Sequence, residues 1–181
     1  MRKIFGIFMT AVLISVYASA STESHSHAFM QKFVTTRLAV TGDIKNNLNL
    51  SVDDLKKFPM QEINMQPLTC QSGRKLKGLG KIKGVLLKDI LEKANIISKN
   101  HNDVKKMIII ASASDGYKVI YSWSEVFNSP IGDGAMIFIE QNNKPLTDKE
   151  GRIAMVSSRD KRTGARHVRW LQKLEVKKII D

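Results

Sequence analysis

One thiol, two clusters of cations and a few aromatic rings hold the chemistry this sequence offers. Cys70 is the single cysteine of 181 residues. It cannot close a disulfide within the chain, and a cysteine-based zinc site needs more thiolates. The segment Gly73–Gly84 carries Arg74, Lys75, Lys77, Lys81 and Lys83 with no acid among them. It invites a phosphate-loop reading and fails it. A Walker A loop needs a glycine where Lys75 stands and a hydroxyl where Ile82 stands; the dinucleotide pattern misses because Lys83 occupies the place of its third glycine. What remains is a basic loop suited to rim a cleft. The second cluster runs from Arg159 to Trp170 and holds Arg159, Lys161, Arg162, Arg166 and Arg169 against Asp160 alone. Guanidinium forks bind phosphates and carbonyl-rich heterocycles. Trp170 next to Arg169 adds a stacking face or a core residue.

Other chemistries lack their residues. Only His101 and His167 lie in the regular part of the chain, and His101 sits in the polar turn Lys99–Asp103. No Ser-His-Asp set and no paired acids suggest themselves. His25 and His27 stand two apart in a polar stretch, a weak metal site at best. The formal charge of +12 raises nucleic acid, a membrane surface or a small anionic ligand as partners.

The N-terminus decides among these. Arg2 and Lys3 precede an apolar run from Ile4 to about Val16, and Ala18-Ser19-Ala20 forms a cleavage signal. The run is short for a bilayer span, which takes roughly 20 residues. Residues 1–20 read as a cleaved Sec-type signal peptide, so the mature protein is expected in the periplasm, not membrane-embedded and away from nucleic acid. Residues 21–36 read as a flexible lead-in, and 37–181 as one domain.

The elements that must position these residues follow from patterning. Arg37–Gly42 reads as a strand. Ser51 with Asp54 opens a short helix that Pro59 stops. Glu62–Leu68 reads as a strand that delivers Cys70 to its end. Gly84–Ala94 reads as a helix with Leu86, Leu87, Ile90, Leu91 and Ala94 buried. Lys105–Ala111 and Tyr117–Ser122 read as strands joined by a tight turn at Asp115-Gly116. Ser122–Phe127 reads as a short helix, and Ala135–Gln141, Arg152–Ser157 and Leu171–Lys177 as strands. Many strands, few helices and no strict βαβ alternation argue for an α+β fold.

Taken in order, the segments resemble the molybdopterin-binding domain of the sulfite oxidase family. The pieces are Leu48–Pro59, Leu68–Gly73, Gly84–Leu91, Ala113–Tyr117, Lys144–Leu146, Gly151–Val156 and Gly164–Leu171. The resemblance implies a minimal single-domain version of that fold, with mixed sheets and short helices. It also implies that Cys70 falls on the molybdenum-ligating cysteine and Arg169 on a pterin-contacting basic residue. The leader has only Arg2-Lys3 and no twin-arginine motif. A chain exported unfolded arrives without a cofactor loaded in the cytoplasm. The chain also resembles short periplasmic pterin-binding proteins, which implies a report to an inner-membrane diguanylate cyclase or phosphodiesterase that tunes cyclic-di-GMP output and biofilm growth.

The expectation is therefore a non-enzymatic pterin-binding protein with no tightly bound cofactor, whose partner is the periplasmic domain of a membrane GGDEF/EAL-type sensor. Tyr117, Trp123 and Trp170 are the candidate stacking faces. Asp115 or Asp160 would accept from the amino edge, and Arg152, Arg159, Arg166 and Arg169 would donate. Cys70 and Ser72 would line the floor. The alternatives are a molybdopterin-dependent oxidoreductase with Cys70 holding the metal, and a ligand-free interaction module.

Overall fold

An unbroken run of buried apolar residues must have protein on both faces, and Ala135–Ile139, the body of the strand Ala135–Gln141, is such a run. In the computed structural model, which describes residues 30–179, it lies at the middle of the fold. Residues from Phe33 onward form one compact unit. The signal-peptide segment and His25 and His27 lie outside the described residues.

Among the described residues there are ten strands and three short α-helices. In chain order they are β1 Arg37–Gly42, β2 Leu48–Ser51, α1 Val52–Leu55, β3 Met60–Met65, β4 Gly80–Leu86, α2 Leu87–Ala94, β5 Met107–Ala113, β6 Lys118–Ser122, α3 Trp123–Phe127, β7 Ala135–Gln141, β8 Lys144–Pro145, β9 Ala154–Ser157 and β10 Leu171–Lys178. They build two five-stranded sheets. The first has the order β2-β1-β10-β5-β6; the second has β3-β4-β7-β8 with β9 also paired to β7. Only β1 and β10 run parallel. The architecture is the expected α+β class.

The side-chain alternation of β7 divides the core in two. Ala135, Ile137 and Ile139 face the first sheet, where they meet Leu38, Val40, Ile109, Ala111, Leu174 and Val176 together with Ile90 and Leu91 of α2. Met136 and Phe138 point the other way, to a second cluster with Leu68, Leu79, Ile82, Ala154 and Val156. That outer cluster is capped by a chain segment rather than by a sheet. Leu68 and Leu79 are buried in it, and so the loop between them is pinned at both ends.

Local signals are realised where they were strongest. Ser51 and Asp54 form a reciprocal capping box on α1, and Ser122 with Glu125 does the same on α3. Asp115 accepts from the Tyr117 N–H at 2.9 Å and Gly116 takes φ +93°, closing the β5–β6 hairpin. Three readings are corrected. The strand before Cys70 is Met60–Met65 and stops short of it. Gly84–Leu86 belongs to β4, and α2 starts only at Leu87. The reason is contact: a side chain at Gly84 would lie 2.1 Å from the Ile137 carbonyl oxygen, so the glycine serves close sheet packing, not a helix start. Finally, the lead-in is already part of the fold at its end. The N–H and hydroxyl of Thr35 both donate to the Gly151 carbonyl, at 3.3 and 3.0 Å, and Thr35 is buried.

Candidate functional site

Cys70 stands at the tip of a hairpin. Leu76 donates to the Leu68 carbonyl at 2.7 Å, and Thr69 and Lys75 face each other as an antiparallel bridge. The Cys70 N–H donates to Arg74 at 2.9 Å, and Gly73 donates back to Cys70 at 2.8 Å. Three residues, Gln71 to Gly73, thus close the loop, and Gly73 supplies the φ of +87° that the closure needs. Cys70 is half-buried, whereas Ser72 is exposed at the tip. No other cysteine is present to compete for it.

This hairpin is held against the turn Thr163–Arg166. Gly164 donates to the Thr69 carbonyl at 2.9 Å, and the Thr69 N–H donates to Thr163 Oγ1 at 3.1 Å. A side chain at Gly164 would meet the Thr69 carbonyl at 3.0 Å, so a small residue is what lets the two backbones approach. Tyr117 reaches the same turn from the β5–β6 hairpin, its hydroxyl donating to the Ala165 carbonyl at 2.7 Å. Cys70, Tyr117 and the arginine-rich turn, which are distant in sequence, therefore share one place.

Arg166 fixes the turn from below. Its Nε and Nη2 fork onto Asp160 at 2.6 and 2.7 Å, and Nη1 reaches Glu125 at 3.0 Å. The guanidinium lies 4.3 Å from the centre of the Tyr121 ring. Burial tends to raise the Glu125 carboxyl, but the Ser122 backbone, Arg166 and the Ser122 hydroxyl together hold it below its ordinary value. Burial pushes the Tyr121 phenol well up.

Several candidates turn out to be engaged elsewhere. Arg166 and Asp160 hold each other, so neither is the open donor or acceptor the sequence suggested. Trp123 stacks on Phe127 at 5.1 Å and packs on the main core, away from the hairpin's contacts. Trp170 is buried to 8% exposure, bonds the Asp148 carbonyl through Nε1 at 2.7 Å and tilts against Phe33 at 5.7 Å. Its ring is a core surface rather than a free stacking face. Arg169 lies over that ring at 5.2 Å with its head exposed. Arg152 pairs with Asp148 at 2.8 Å. Asp115 is used within its own turn. Tyr117, at 45% exposure, keeps its ring accessible beside the turn.

Lys81 and Lys83 of the expected basic loop lie in β4, and Lys81 pairs with Glu62 at 2.9 Å; other cations are open. Arg74, Lys75, Arg159, Lys161 and Arg162 are all exposed and form no ion pair among the described residues. Arg162 hangs over the hairpin tip, where a side chain at Gly73 would meet its Nη1 at 3.1 Å. Arg159 and Thr163 also line a cleft of about 360 Å³ against β3, opposite Gln61, Asn64 and Gln66. Thr163 connects the two places, since it is also the residue that holds Thr69. The sequence reading placed Arg162 in the basic cluster without a binding role, and gave no role to Thr69, Thr163, Gly164 or the three amides. Thr163-Gly164 was the available signal, a small pair inside a run of arginines. The amides are irregularly spaced along and just past β3 and carry no motif. No group of three or more His, Cys, Asp or Glu residues is placed to hold a metal among the described residues. Among the same residues no helix is long and apolar enough to cross a membrane.

A mixed sheet packed with an antiparallel one carries one thiol on a clamped hairpin beside a rim of unpaired cations, an arrangement suited to an anionic cofactor or ligand. Residues 27–179 match the oxidoreductase molybdopterin binding domain, and the chain belongs to that family. The crystal structure of the sulfane dehydrogenase SoxCD from Paracoccus pantotrophus shares the fold, with a TM-score of 0.57 at 17% identity over 81% of this chain. This chain spans 38% of the length of that one. No curated protein matches.

Proposed function

We propose that this chain binds a pterin at the Cys70 hairpin, as a ligand-binding protein of the periplasm rather than an enzyme. Ligand occupancy is relayed to the periplasmic domain of a membrane GGDEF/EAL-type protein. The observation that carries the binding site is the joining of the Cys70 hairpin to the Thr163–Arg166 turn, with Tyr117 tied to the same turn. The donor set fits the family's group. Cys70 offers one half-buried sulfur, Arg74, Arg162 and Lys161 offer unpaired positive charge, and the Tyr117 ring offers a face. Gln61, Asn64 and Gln66 offer both donors and acceptors to a heterocycle edge in the adjoining cleft. Support for the absence of a resident cofactor comes from the leader sequence, which has the character of an unfolded-export signal.

Titration of the purified chain with reduced pterins, followed by calorimetry or tyrosine and tryptophan quenching, tests the binding step. Saturable binding that Arg162→Glu weakens is expected, and no binding at about millimolar pterin would remove the reading. Pull-down of the cognate sensor's periplasmic domain with and without pterin tests the relay. Association that ignores pterin would make the chain a plain interaction module.

A second reading is favoured by the half-buried Cys70 thiol itself. In a molybdopterin-dependent oxidoreductase Cys70 would hold the metal and the unpaired cations would hold the anionic pterin. The bound cofactor supplies two-electron redox chemistry. Elemental analysis of protein purified from its native compartment separates the two. Stoichiometric molybdenum that Cys70→Ser removes would establish the oxidoreductase.

A further inference from the structure

We infer that Arg166 is a positioning residue for Cys70, acting through the Thr163–Arg166 turn, and not a ligand contact. The inference rests on the reading that the Cys70 hairpin is the site. Three of the five guanidinium donors are engaged by Asp160 and Glu125, and the Tyr121 ring lies 4.3 Å beneath the planar group. The Arg166 and Asp160 side chains are 18% and 10% exposed. Turning Arg166 toward a ligand would strand a nearly buried carboxylate, which is strongly unfavourable.

The clamp has two fixed ends. Glu125 is held in the capping box of α3, where the Ser122 N–H and hydroxyl both donate to its Oε2 at 2.8 and 3.0 Å. Asp160 lies three residues past the end of β9, its N–H directed to the Ser157 carbonyl at 3.5 Å. Arg166 ties both to the last residue of the turn, and that turn holds Thr69 on both its N–H and its carbonyl. Thr69 is the neighbour of Cys70. The chain of contacts α3–Arg166–turn–Thr69–Cys70 is continuous. A lysine in place of Arg166 supplies the charge without the planar fork, so it cannot hold two carboxylates in this geometry.

Cys70 is the only thiol, so alkylation of the full chain reports on it alone. The test is the iodoacetamide rate against pH for the wild type, Arg166→Gln, Arg166→Lys and Glu125→Gln. Ile90→Ala, a core variant that takes no part in the Arg166–Asp160–Glu125 hydrogen bonds, serves as a control for general destabilisation. The expected result is a plateau rate about tenfold higher in Arg166→Gln, with smaller rises in Arg166→Lys and Glu125→Gln. The profile's midpoint stays in place and Ile90→Ala labels at the wild-type rate. Wild-type rates in all three clamp variants would overturn the inference. So would a moved midpoint with an unchanged plateau, which would mean that Arg166 acts on the thiol by charge. If Arg166→Gln does not fold, Arg166→Lys and Glu125→Gln decide in the same way. No pterin is present in the measurement, so its failure is distinct from a failure of pterin binding.

Discussion

Beneath the Arg166 clamp lie two buried hydroxyls. Tyr121 Oη and Ser157 Oγ meet no partner at hydrogen-bond geometry among the described residues. Ser157 lies near enough to ease the ionisation of Tyr121, yet burial dominates and keeps the phenol neutral. A buried unsatisfied hydroxyl is a cost, while the apolar isostere removes the cost and keeps the ring under Arg166. Tyr121→Phe should therefore lose no stability and gain up to ~1 kcal/mol in urea unfolding. A loss of that size would mean that the hydroxyl is bonded. Glu125 gives a pH prediction. Its folded carboxyl titrates below the ordinary value of 4.5, so its contribution is present above that pH and fades as the pH falls through the folded value. Glu125→Gln should flatten the loss of stability on acidification below about pH 4.5, seen in thermal melts across the acid range. Neither pairing was legible in sequence. Arg166 and Arg169 look alike in the chain, and nothing near either one reveals that Glu125, 41 positions away, faces only the first.

At the scale of elements, what was legible is what short-range physics decides. The capping boxes at Ser51 and Ser122, the Asp115-Gly116 turn and the apolar runs of β5 and β7 each depend on residues within a few positions. The start of α2 was not legible, because Leu86, Leu87, Ile90, Leu91 and Ala94 suit a helical stripe whether or not Gly84–Leu86 is helical. Tertiary contact decides it. Leu86 turns to the outer cluster and Leu87 to the inner one, as strand alternation demands. The bulge between Lys83 and Gly84 brings the glycine onto the β7 backbone. Gly84→Ala would force its methyl to within 2.1 Å of the Ile137 carbonyl, and neither strand can yield without breaking ladder bonds. A loss of at least about 2 kcal/mol in denaturant unfolding is expected. A helix start at Gly84 would instead have gained from alanine, so the sign of the change separates the two assignments.

For the whole molecule, the charge surplus resolves into distinct populations. Lys56, Lys57, Lys88 and Lys178 are balanced by nearby acids, as is Arg166. Arg74, Lys75, Arg159, Lys161 and Arg162 are not, and Arg74 and Arg162 flank the loop that holds Cys70. Unpaired guanidinium groups beside a single half-buried thiol suit an anionic ligand. The consequence is a salt test. Exposed charges are screened over about 8–10 Å at ordinary ionic strength, so these arginines should act on a ligand's phosphate and much less on its neutral ring. Affinity for a phosphate-bearing pterin should fall as salt rises from about 50 to 500 mM, while affinity for the same ring without phosphate changes little. The double variant Arg74→Glu, Arg162→Glu should remove most of the difference between the two ligands. Equal salt dependence for both would assign the cations to protein docking and leave the pterin to Cys70, Tyr117 and the amide cleft.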